Sequence, residues 1–71
     1  MAAAASDPCG YFERDGSAYW RNCANHGDRI TVHTNYYPDP SRCVGAGYTD
    51  FIGLTGWWPA TVYGASLTGS C

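Results

Sequence analysis

Apolar and polar residues alternate along this chain in short runs, and glycine, proline or Asx residues separate one run from the next. Alternation with a period of two marks half-buried strands. The cleanest run is Arg29 to Tyr37, RITVHTNYY. Ile30, Val32, Thr34 and Tyr36 share one face there; Arg29, Thr31, His33, Asn35 and Tyr37 share the other. Its β-branched density favours a strand over a helix, and Pro38-Asp39-Pro40-Ser41 ends it, because proline cannot continue a ladder. Upstream, Gly10 to Asn22 reads GYFERDGSAYWRN, with Asp15-Gly16 at its centre. Asp-Gly between strand-forming runs predicts a type I′ hairpin turn, whose two central residues need positive φ. That register opposes Arg14 to Ser17, Phe12 to Tyr19 and Tyr11 to Trp20.

Further along, a short strand at Arg42 to Val44 completes a second hairpin, and Gly45-Ala46-Gly47 turns the chain. Tyr48 to Leu54 reads as a strand interrupted by Gly53. Gly56-Trp57-Trp58-Pro59 reads as a turn or bulge before a strand at Ala60 to Tyr63, and Ala65 to Cys71 as a final edge strand. No segment keeps helical periodicity over ten residues or more. The expected fold is all-β: a small, disulfide-stapled antiparallel β-sandwich or barrel of five to six short strands. Its core draws on Ile30, Val32, Tyr36, Val44, Phe51, Ile52, Leu54, Val62 and Leu67.

At 71 residues the chain makes one domain and buries little apolar surface, so it needs a covalent staple. Cys9, Cys23, Cys43 and Cys71 lie 14, 20 and 28 residues apart, unlike the close pairs of a structural zinc site. An even count in so short a chain reads as a disulfide framework, which forms in oxidising compartments. Sequence alone allows three pairings. The hairpin register brings Cys9 beside Cys23, which favours that bond and leaves Cys43 for Cys71. The run Ala2 to Ser6 resembles the end of a signal-peptide cleavage region. The expectation is a trimmed, secreted protein with Met1 added for expression, a disordered tail over residues 1–8, and one domain over 9–71.

Four arginines, no lysine and six acids give a formal charge of -2, which argues against binding a nucleic-acid backbone or an anionic membrane. The partner is expected to be a protein, or a small-molecule or carbohydrate ligand.

Cys9 and Cys23 around a hairpin, the β-branched strand ending in Tyr37, the glycine-rich turn after Cys43, Thr49 and the long interval to Cys71 together resemble the tendamistat-like α-amylase inhibitors. The resemblance spans nearly all of the chain from Cys9 onward. It implies a six-stranded sandwich, cysteines paired first with second and third with fourth, and inhibition through a Trp-Arg-Tyr triplet near the first hairpin tip. Here the triplet is Trp20-Arg21-Asn22, at the hairpin base against Cys23. A second resemblance rests on Cys9-Gly10-Tyr11, Ala18-Tyr19-Trp20, and Cys43-Val44-Gly45 with Gly47 and Thr49. These look like a family of small exported actinobacterial proteins with no settled activity, some labelled natural-product biosynthesis proteins.

For catalysis the candidate groups are His26, His33, Glu13, Asp28, Asp50, Ser17, Ser41 and Ser66, but no hydrolase, metalloprotease or phosphate-binding motif orders them. No catalytic residue, metal or cofactor is assigned. The aromatics say more. Six Tyr, three Trp and two Phe exceed what so small a core requires, although small disulfide domains also use aromatics as filler. Tyr19, Trp20, Arg21, Tyr37, Trp57 and Trp58 are the candidate binding residues, since exposed Trp and Tyr beside Arg have the composition of an interface hot spot. The expected function is a secreted, non-catalytic binding protein, specifically a glycoside hydrolase or α-amylase inhibitor. The alternative is an accessory protein or cyclase in polyketide-type biosynthesis, using an aromatic-lined pocket.

Overall fold

A computed structural model describes residues 7–35, 38–56 and 61–71. Among the described residues the fold is all-β. Its strands are β1 (Gly10–Arg14), β2 (Ser17–Arg21), β3 (Asp28–Thr34), β4 (Ser41–Val44), β5 (Thr49–Leu54) and β6 (Val62–Ser70). They form two three-stranded antiparallel sheets, ordered β1-β2-β5 and β4-β3-β6. The Cα trace measures 36 × 27 × 12 Å, a thin body that fits two sheets packed face to face.

The first hairpin forms as its turn chemistry dictates. Asp15 and Gly16 take φ of 53° and 79°, and Arg14 faces Ser17, Phe12 faces Tyr19 and Tyr11 faces Trp20. Cys9 bonds Cys23 across the hairpin's open end, and Cys43 bonds Cys71. The second bridge ties β4 to the end of the chain just beyond β6, although β3 lies between those two strands.

One core lies between the sheets. Ala18, Trp20 and Ile52 come from one sheet; Ile30, Val32, Val44 and Val62 come from the other. Among the described residues three polar ones are buried, Asn22, Asp28 and Thr55, and the first two are tied into networks. Asp28 is buried and its Oδ2 accepts a hydrogen bond from the Trp20 indole N–H at 3.1 Å. Asn22 is 1% exposed. Its amide donates to the carbonyls of His26 at 2.7 Å and Val44 at 2.9 Å, and its side-chain oxygen accepts from the Ala24 N–H at 2.8 Å. Its backbone also pairs with Tyr48 and Gly47. Asn22 therefore fastens the 22–27 loop to the 44–48 turn. Such full satisfaction is what a buried polar group requires.

Several expectations need correction. Phe51 and Leu67, expected in the core, are 50% and 57% exposed. Phe51 points away from buried Ile52, on the outer face of β5; Leu67 pairs with Ile30 but lies on the edge strand β6. Leu54 is half-buried. Trp20 takes the core volume left open, at 7% exposed. The separate strands expected at Ala60 to Tyr63 and Ala65 to Cys71 are one strand, β6, running through Gly64. A bulge there, between the pairs His33–Gly64 and Thr34–Val62, absorbs Tyr63 without ending the ladder. Strand β3 starts at Asp28 and ends at Thr34, earlier than the run to Tyr37 suggests. Tyr36, expected in the core, lies outside the described residues, as does the turn expected at Trp57 and Trp58.

Candidate functional site, an aromatic row on the outer face of one sheet

Side chains on successive strand residues point to opposite faces. In β2 the buried pair Ala18 and Trp20 faces the core, so Ser17, Tyr19 and Arg21 face outward. Tyr11 of β1 packs on the core, so Phe12 and Arg14 face outward. In β5, inward Ile52 leaves Phe51 outward. The register aligns Phe12 with Tyr19, and Tyr19 with Phe51. Three aromatic rings thus form one row across three strands.

The rings touch. Phe12 and Tyr19 stack with centroids 5.2 Å apart, and Tyr19 meets Phe51 edge to face at 5.9 Å. The Arg14 guanidinium lies 5.4 Å from the Phe12 centroid, within cation–π range. Arg21 lies two residues beyond Tyr19 on the same strand face, so the row has an arginine on either side. Both arginines reach Asp7: Arg14 pairs with its carboxylate, and Arg21 donates to its backbone carbonyl. Asp7, assigned from sequence to the tail, is thereby held against the sheet.

Of the sequence-predicted binding residues, Tyr19 and Arg21 stand together on this face. Trp20 does not join them: its side chain turns inward and donates to Asp28. Tyr37, Trp57 and Trp58 lie outside the described residues. Phe12, Phe51 and Arg14 complete the row and were not singled out by sequence reasoning. The signal for Phe12 was present, since the hairpin register already opposes it to Tyr19.

Among the catalytic candidates, exposed His26 sits in the 24–26 bend with Nδ1 3.0 Å from the Gly27 carbonyl, and Asp28 is committed to Trp20. Among the described residues there is no cavity, and no cluster of three His, Cys, Asp or Glu that could hold a metal ion. This geometry offers a flat, braced surface for contact.

An all-β, doubly disulfide-bonded sandwich with an aromatic row on one outer face is thus the class defined by fold and site. The chain belongs to a family of unknown function, DUF6355, whose profile matches residues 7–71. No curated protein and no solved structure matches it.

Proposed function

We propose that this is a secreted binding protein that docks a partner on the outer face of the β1-β2-β5 sheet. The observation that carries this reading is the contiguous row Phe12–Tyr19–Phe51 with Arg14 and Arg21 beside it. Aromatic and arginine side chains dominate interface hot spots, because they bring large contact area with few rotors and directed hydrogen bonds. The face is also pre-organised. Cross-strand ring contacts fix the aromatics, the Cys9–Cys23 bond closes the hairpin that carries two of them, and little freedom is lost on docking.

The two disulfides fit an oxidising, extracellular setting, and among the described residues no helix is long and apolar enough to cross a membrane. The specific form proposed is an inhibitor of a glycoside hydrolase, α-amylase first. Such clefts bind sugars against aromatic and acidic side chains, and a rigid aromatic and arginine surface is complementary to both. The test is inhibition of α-amylase and a panel of glycoside hydrolases by the oxidised protein. Inhibition at micromolar protein, reduced at least tenfold by Tyr19→Ala with Phe51→Ala, is expected. No inhibition across the panel overturns the inhibitor reading.

A further inference from the structure

The other sheet carries a second constellation, on its own outer face. Ile30 and Val32 of β3 point into the core, so Thr31 and His33 point out. On β6, Ser66 pairs with Thr31 and Gly64 pairs with His33, which places Ser66 diagonally beside the imidazole. His33 Nε2 lies 2.7 Å from Ser66 Oγ. On the opposite side of the ring, His33 Nδ1 lies 3.0 Å from Asp39 Oδ2.

Asp39 is itself held in place. Its Oδ1 accepts the Thr34 N–H at 3.2 Å, and the adjacent Pro40 carbonyl accepts the Val32 N–H at 2.9 Å, so the turn is fastened along β3. The hydrogen bond from His33 and that from Thr34 hold the Asp39 carboxyl below its ordinary range, so at neutral pH it is ionised and can only accept. His33 Nδ1 must then carry a proton. In the neutral ring Nε2 is the acceptor, and it faces the serine hydroxyl. The ring is further placed by Tyr63, which stacks on it at 5.9 Å. A nucleophile, a base against it and an acid orienting that base form the arrangement by which serine is activated on unrelated folds.

We propose that Ser66, His33 and Asp39 form an acyl-transfer site that takes the acyl group of an activated ester and passes it to water. Ser66 Oγ attacks the ester carbonyl carbon while its proton passes to His33 Nε2. The tetrahedral intermediate collapses, the bond to the leaving oxygen breaks, and His33 returns the proton to that oxygen. Water then attacks the acyl-serine, giving a proton to His33 Nε2. Ser66 Oγ leaves and is reprotonated, so ester and water become acid and alcohol. Strand β6 is an edge strand, and such strands turn alternate backbone N–H groups away from the ladder, the kind of donor an oxyanion needs. The site is open, with His33 and Asp39 side chains 30% and 36% exposed. It therefore suits small aryl esters, and its gain is that of general-base assistance, roughly 10²–10⁴-fold. Ser66 and His33 are the catalytic residues; Asp39 is a positioning residue.

The test uses the whole oxidised chain with two probes, a fluorophosphonate and p-nitrophenyl acetate. Peptide mass mapping should place the fluorophosphonate adduct on Ser66. Ser66→Ala and His33→Gln should each remove labelling and lower p-nitrophenyl acetate turnover at least tenfold, with both disulfides and the unfolding midpoint retained. Asp39→Asn should slow labelling with the unfolding midpoint retained, and Asp39→Glu should restore part of the rate, which a purely structural role would not do. No adduct on Ser66, or equal labelling of Ser17 and Ser41, overturns the proposal. Turnover unaffected by Ser66→Ala overturns it as well.

Discussion

At Asn22 a single side-chain amide serves two carbonyls and one N–H inside the protein. Asn22→Ala strands all three, and unsatisfied buried groups cost about 1–3 kcal/mol each where water cannot reach them. With partial relaxation of the two loops, the variant should lose about 3 kcal/mol in urea unfolding; a loss below about 1 kcal/mol would show that the network is not under load. In the sequence Asn22 stands out only as the last residue of the Trp20-Arg21-Asn22 triplet, because the burial of a loop amide leaves no pattern along the chain. Asp39 was hidden for a similar reason: between two prolines it reads as loop polarity, and only the folded turn brings it to His33. Since the folded-state value of Asp39 lies below its ordinary 3.8, its contribution is present at neutral pH and lost as pH falls through that lower value. An NMR titration of the Asp39 side-chain carboxyl carbon should give a midpoint below 3.8, and His33→Gln should raise it.

Individual strands were more legible than single side chains. Asp15-Gly16 set the first hairpin to the residue, because a two-residue turn needing positive φ leaves no freedom in register. The face of β3 was legible from Ile30 and Val32. Edge effects and bulges were not. The bulge that leaves Ile52 between the paired residues Phe51 and Gly53 has no signature beyond the glycine. Gly53 has a φ of 148°, and a Cβ there would lie 2.5 Å from Val62 Cγ2 in the opposite sheet. Gly53→Ala should therefore destabilise by about 2 kcal/mol through overpacking and backbone strain together. Thermal unfolding checks this, and a neutral result would mean that the two sheets can part at β5 without cost.

For the whole molecule, all-β architecture and both disulfides followed from strand patterning and cysteine arithmetic. The chain-entropy model assigns about 3 kcal/mol to a bridge over 14 residues and slightly more to one over 28. Replacing Cys43 and Cys71 by Ala should accordingly destabilise at least as much as replacing Cys9 and Cys23, by denaturant midpoint. Composition announced an excess of aromatics, but which of them reach the surface depends on which hairpin face meets the second sheet. That choice sent Trp20 inward and left Tyr19 beside Phe12 and Phe51. The proposed function puts the docked partner on this outer face. The most direct measurement is an NMR titration of the ¹⁵N-labelled protein with purified α-amylase. Perturbations concentrated in residues 10–14, 17–21 and 49–54, and abolished by Tyr19→Ala with Phe51→Ala, are expected. Perturbations confined to the β4-β3-β6 sheet, or none at saturating enzyme, would contradict it.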